Sequence, residues 1–193
     1  MSLSWSQIFR LGLVQMALGS IVVLTTSTLN RLMVVEFSLP ALLPGALVGL
    51  HYGIQLSRPR WGFRSDVGGN RTRWIIGGMI TLALGGVGAT YAVTLFAVHY
   101  WLALIASILS YGMIGIGVGA SGTSLLALLA TATAAHRRAA AATITWLMMI
   151  FGIALTAGVA GQFLDPYSPE RLMTVVSIIA LLAIVLTVLA IWN

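Results

Sequence analysis

His51 and Gln55 stand one helical turn apart in the stretch HYGIQ. A neutral imidazole at that place can ligate a metal, such as the magnesium of a chlorin, or hydrogen-bond a neighbouring helix. Gln15, Gly19, Thr26 and Asn30 form a second polar set. Their spacings, four or multiples near 3.6, put them near one helical face that also approaches Arg31. That face either lines a cavity or bonds between helices. Arg31 and Glu36 are opposite charges five residues apart, a poor helical pairing, so a bridge between them needs a turn or another helix. Other chemistry is scarce. The chain has no cysteine, no paired carboxylates at close spacing, no HExxH and no Walker-type phosphate loop, so an enzyme is the weakest functional class. Gly115, Gly117 and Gly119 alternate inside an apolar run and read as packing rather than nucleotide binding. His136 follows Ala132 by four residues beside Arg137 and Arg138, which marks an interface. His99 precedes Tyr100 and Trp101, an aromatic belt.

The elements that position these groups are membrane helices. The 193-residue chain is 59% hydrophobic and 7% charged, with mean hydropathy +1.01 in its composition. A soluble domain needs roughly 25% charged residues to cover its surface, so this is an all-α integral membrane protein. The apolar runs are continuous rather than alternating, which excludes a β-barrel. Spans of ~20 residues divide the chain into six: about 11–29, 40–56, 74–98, 101–135, 139–164 and 173–192. Ser38 and Pro40 read as the cap and first turn of the second span. The N-terminal segment lacks the pattern of a cleaved signal peptide.

The net charge of +6 comes from arginine alone. With the N-terminus inside, Arg10, Arg58, Arg60, Arg64, Arg71, Arg73, Arg137 and Arg138 fall on the cytoplasmic side. Only Arg31 and Arg171 fall outside, so both termini are expected to be cytoplasmic. Arginines at span ends meet anionic lipid headgroups rather than nucleic acid. Gly45, Gly49 and Gly53 repeat every fourth residue in the second span, and Gly115 and Gly119 do so in the fourth. The fifth adds Gly152, Gly158, Gly161 and an alanine run at 139–142. Small residues at that spacing let helix backbones approach closely, as a movable interface or as ordinary packing. The aliphatic sixth span is expected to face lipid or a partner protein.

Half of the arginines lie in residues 58–73, RPRWGFRSDVGGNRTR, between the second and third spans. Gly62, Asp66, Gly69, Arg71 and Arg73 resemble motif A of the major facilitator superfamily, which occupies the same topological place. Asn70 stands where that motif usually has a basic residue. The glycines suit a tight turn, and the aspartate suits a helix N-terminus or a facing arginine that gates the cytoplasmic side. The words TLNRLMVVE, HYGIQLSRPRWGFRSDVGG and RTRWIIGGM narrow the likeness, over nearly the whole chain, to the bacteriochlorophyll delivery (PucC/LhaA) family. That resemblance implies half of a twelve-span facilitator fold, the amino-terminal one, in the intracytoplasmic photosynthetic inner membrane of a bacterium. It implies bacteriochlorophyll as cofactor and light-harvesting antenna polypeptides or a reaction centre as partners, besides lipid. A second half or a second copy would complete the bundle.

The expected function is therefore an assembly factor for a light-harvesting or reaction-centre complex that holds antenna helices or pigment in the membrane. The alternatives are a facilitator-type solute transporter lacking its second half and a permanent structural subunit of a photosynthetic complex.

Overall fold

A computed structural model describes residues 2–68 and 70–192, apart from the side chains of residues 64–66. Helix α1 (Trp5–Val23) passes through a π-helical turn, Leu24–Thr28, into α2 (Leu29–Val35). Then follow α3 (Leu42–Gln55), α4 (Arg58–Val67), α5 (Arg71–Leu95), α6 (Tyr100–Ala132), α7 (Arg138–Phe163) and α8 (Pro169–Ile191). No strand occurs among the described residues. Five of these helical stretches are long and apolar enough to cross a membrane: Trp5–Val35, Arg71–Leu95, Tyr100–Ala132, Ala135–Phe163 and Pro169–Ile191. The chain is thus a multi-pass membrane protein. The expected second span is the exception. At 14 residues α3 is about 21 Å long, short of a hydrocarbon core of ~30 Å.

Local chemistry sets the helix starts. Ser4 and Gln7 form a reciprocal capping box at α1, and Ser168 caps α8 with Pro169 in its first turn. Asn70 accepts from the Arg73 backbone N–H at 3.3 Å and starts α5. The expected cap at Ser38 does not form. Ser38 instead takes a left-handed backbone (φ 51°) in the turn, and α3 starts three residues later than proposed, behind Ala41 without a side-chain cap. Pro40 still helps, since its carbonyl accepts from the Leu43 N–H at 2.9 Å.

Two helix pairs pack backbone to backbone. Between α5 and α6, a Cβ on Gly117 would lie 2.5 Å from the Leu82 nitrogen, and one on Gly78 would lie 2.5 Å from the Ser121 nitrogen. Between α1 and α7, a Cβ on Gly152 would lie 2.5 Å from the Met16 carbonyl oxygen. Such contact is how helices associate in lipid, where burying apolar surface gains little. Helix α3 lies on α6 at Gly115, where a Cβ would meet the His51 carbonyl oxygen at 2.8 Å. Gly45, Gly49 and Gly53 face away from the bundle, with nothing within 4 Å of their Cβ positions. The sixth span has two faces. One stripe of α8, Val176, Ala180, Ala183, Thr187 and Ala190, is buried, because its alanines admit α1 and α5. Leu181, Leu182, Val185 and Leu189 stay exposed.

Polar ties lock one end of the bundle. The Arg10 guanidinium donates to the Ala190 and Trp192 carbonyls at 3.1 Å and 2.7 Å, joining the start of α1 to the end of α8. The Leu3 N–H donates to the Ala132 carbonyl at 2.9 Å, bringing the end of α6 to the same place. Arg137 stacks over the Trp5 ring at 5.2 Å.

Gly117→Val is expected to force α5 and α6 apart and cost on the order of 1–3 kcal/mol. Gly49→Ala is expected to change stability by less than about 0.5 kcal/mol, as for substitutions away from packed contacts. Thermal unfolding of both variants in the same detergent checks the pair, and equal melting shifts would contradict this packing scheme.

Candidate functional site

A cavity of about 280 Å³ opens between α1, α3, α6 and α7, and His51, Gln55, Gln15 and Arg58 line it among apolar side chains. Helix α3 delivers His51 and Gln55, which recur at i and i+4 on one face, and Arg58 arrives from the start of α4. Gln15 arrives from α1. His51 is fully buried and Gln15 nearly so.

The hydrogen bonds determine the state of the imidazole. A guanidinium only donates, so the Gln55 carbonyl oxygen, which accepts from Arg58 Nη2, must face the arginine. The Gln55 Nε2 amide then faces His51 Nε2 at 2.7 Å and donates to it. His51 Nε2 is therefore an acceptor, the ring is neutral, and its proton sits on Nδ1. That Nδ1–H has no acceptor, and Gln15 Oε1 has no donor. Gln15 Nε2 reaches only the Met149 sulfur, at 3.5 Å. The Arg58–Gln55–His51 chain thus ends in an unmatched N–H, and Gln15 Oε1 is a second unmatched group lining the same cavity. Arg58 anchors that chain from the basic end, and partial burial holds its guanidinium below its ordinary pKa while leaving it charged.

The polar face proposed along the first span is divided in two. The π-helical turn adds a residue to the helical repeat, so positions beyond it rotate away from the direction of Gln15 and Gly19. Gly19 packs against the Met149 carbonyl, where a Cβ would lie at 2.7 Å. Thr26 bonds back to the Val22 carbonyl at 2.8 Å, and Asn30 Oδ1 is buried without a partner. Arg31 and Glu36 line a separate pocket of about 400 Å³ with Asp165 and Tyr167, beside the π-helical turn. They form no ion pair among the described residues. Burial, with Glu36 and Glu170 adding their charge, raises the Tyr167 phenol above its usual pKa. Tyr111, unremarked in the sequence, donates to the Thr25 carbonyl at 2.7 Å inside the π-helical turn. Its buried position on α6 is the signal that sequence alone could not separate from ordinary core.

The arginine loop is not a loop. Residues 58–67 form helix α4, whose Trp61 donates to Ser57 Oγ at 2.8 Å and lies 5.8 Å from the Trp74 ring. Gly62 sits against α6, where a Cβ would meet Thr123 at 3.3 Å. Arg71 donates to the Ala127 carbonyl at 3.2 Å and to Thr131 Oγ1, holding the start of α5 to the last turns of α6. The backbone N–H of Arg73 donates to the Asn70 cap. Gly69 and the Asp66 side chain lie outside the described residues. His99 precedes α6, and Tyr100 next to it makes edge contacts with Phe96 and Trp101. His136 is exposed in the turn before α7.

The family model for the PUCC protein matches residues 28–193. The chain belongs to that family. It is 67% identical, over all 193 residues, to the Bacteriochlorophyll synthase 44.5 kDa chain of Rhodobacter capsulatus, and it covers 45% of that relative. It is 30% identical to Protein PucC of Rhodobacter capsulatus, over 97% of this chain and 43% of that one. Protein PucC of Cereibacter sphaeroides matches at 30% identity over the same shares. The chain therefore spans less than half the length of these PUCC-family relatives. No solved structure matches it.

The assignment of the His51 proton is directly measurable. In protein labelled with ¹⁵N-histidine, the signal lost in His51→Phe is expected to show a protonated Nδ1 and a bare Nε2. A protonated Nε2 would contradict the Arg58–Gln55–His51 chain.

Proposed function

We propose that this protein is a membrane-embedded assembly factor for a bacterial light-harvesting or reaction-centre complex. It would hold bacteriochlorophyll or a nascent antenna helix while the complex closes. The observation that carries the reading is the cavity at His51, a polar site inside a bundle of the PUCC family. A fully buried imidazole between apolar helices is costly unless it serves a ligand or a network. The name of the Rhodobacter capsulatus relative at 67% identity, which mentions bacteriochlorophyll, supplies the pigment.

The residues fit a chlorin in part. His51 Nε2 is a nitrogen lone pair of the type magnesium accepts, and it becomes available when Gln55 turns fully toward Arg58. The cavity of about 280 Å³ is at the small end for a ligand site, so a whole pigment would extend outward between the helices. When bound, the pigment brings light absorption. The chain's own part is to orient it through His51 and to shield it between α1, α3, α6 and α7.

We read the bundle as six crossings in the amino-terminal half of a facilitator-type fold, α3 being the short second one. Parity supports this. The start of α1 meets the end of α8, and the start of α5 meets the end of α6, so α3 is needed to bring the chain back from the far end of α2. The arginine-rich end is then cytoplasmic by the positive-inside rule, with both termini there, and the membrane is the photosynthetic inner membrane. Asp66 and Gly69 belong to this basic end as motif residues and, with Gly62, Arg71 and Arg73, are proposed to form its gate or docking surface. A second half or a second copy of the chain is the proposed completion. Catalysis finds less support, with no cysteine and only four acidic residues in the chain.

Protein extracted mildly from photosynthetic membranes is expected to carry bacteriochlorophyll absorbance or antenna polypeptides. His51→Leu should remove most of the pigment per protein, and Gln55→Leu should keep it. Pigment unchanged in His51→Leu would remove His51 as the ligand. Substrate-dependent uptake in vesicles, with no pigment or antenna bound, would replace the assembly reading with a transporter.

A further inference from the structure

The geometry points to the cavity at His51 as a binding site for an amphiphile that carries a free carboxylate. The carboxylate would sit between Arg58 and the His51 Nδ1–H, with the tail among Leu18, Val22, Val118 and Leu126. This goes beyond the assembly reading and stands or falls without it, since it needs neither pigment nor antenna.

Three observations lead there. Arg58 lines the cavity with a single hydrogen bond, to Gln55, and forms no ion pair with any described carboxylate. Glu36, Asp165 and Glu170 belong to the opposite end of the bundle, around the pocket beside the π-helical turn and the start of α8. Deeper in, the buried His51 carries an N–H with no acceptor. A charged donor near the surface and a neutral donor deeper in, linked through Gln55 and set among apolar lining side chains, match an anionic head on an apolar tail.

The number of donors selects the head. Two donor groups suit the two oxygens of a planar carboxylate, which a guanidinium fork also matches in shape. A phosphate offers more oxygens than these groups satisfy and would leave them unpaired in an apolar cavity. Gln15 does not oppose the anion. Turning its amide gives up only the contact to the Met149 sulfur and presents N–H donors in place of Oε1. Arg60, two residues from Arg58, is exposed and does not line the cavity, so it serves as an internal control.

The test uses the full chain in nanodiscs of uncharged lipid, titrated with the fluorescent fatty acid cis-parinaric acid and with its methyl ester. The acid is expected to bind saturably and about tenfold more tightly than the ester, the loss typical of one charged hydrogen-bonded contact. Arg58→Gln should erase that preference, Arg58→Lys should restore part of it, and Arg60→Gln should leave it intact. Size-exclusion profiles of each variant confirm that the bundle has folded. Equal affinity for acid and ester, an equal loss in Arg60→Gln, or no saturable binding would overturn the proposal; the last result would mean a cavity that holds water or bulk lipid only. Pigment copurification is read separately, so failure here and failure of the assembly reading are distinguishable.

Discussion

Backbone-to-backbone contact at glycine is the constraint on which the rest of this structure depends. Lipid removes the hydrophobic drive between helices, so association relies on packing and polar ties. Gly78 and Gly117 let α5 and α6 touch along their backbones, and Gly19 and Gly152 do the same for α1 and α7. Gly115 then seats α3 on α6 at the level of His51. The cavity lies where α1 and α7 face α3 and α6. Its position follows from the packing, and its polarity follows from the face of α3 that Gly115 turns inward.

Charge organises the ends as packing organises the middle. At one end Arg10, Arg71 and Arg137 each satisfy a carbonyl or an aromatic face of a neighbouring helix, tying α1, α5, α6, α7 and α8 together. Each tie uses the negative end of a helix or a ring face. Arg58 differs, because it turns from that end toward the cavity and polarises a buried chain through Gln55. At the other end the acidic residues surround Tyr167 and the π-helical turn. A chain with four acidic residues has thus placed three of them away from its basic end.

Much of this was legible in the sequence, and the failures have physical causes. Continuous apolar runs gave the membrane class and, of the six expected spans, the five that are long helices, because length and hydropathy are one-dimensional properties. The spacing of His51 and Gln55 correctly put them on one face, since i and i+4 are adjacent on any helix. Phase errors spoiled the longer stripe. The π-helical turn at Leu24–Thr28 shifts everything after Gln15 and Gly19, and no residue in LTTST announces it. Helix α4 was read as a turn because it is polar and has Pro59 and Gly62, yet proline is tolerated in a first turn and Gly62 packs on α6. The Gly45–Gly49–Gly53 repeat shows that spacing marks a face able to pack without naming its partner. Gly78 and Gly85, which do pack, lacked a repeat and were passed over.

The relatives are about twice as long as this chain. We propose that the bundle engages photosynthetic components within the membrane, pigment or antenna helix. Native mass spectrometry of the protein, released from photosynthetic membranes in a mild detergent, tests this most directly. Mass increments equal to bacteriochlorophyll or to an antenna polypeptide, surviving the removal of lipid, are the expected result. A bare chain or one carrying only lipid would contradict it.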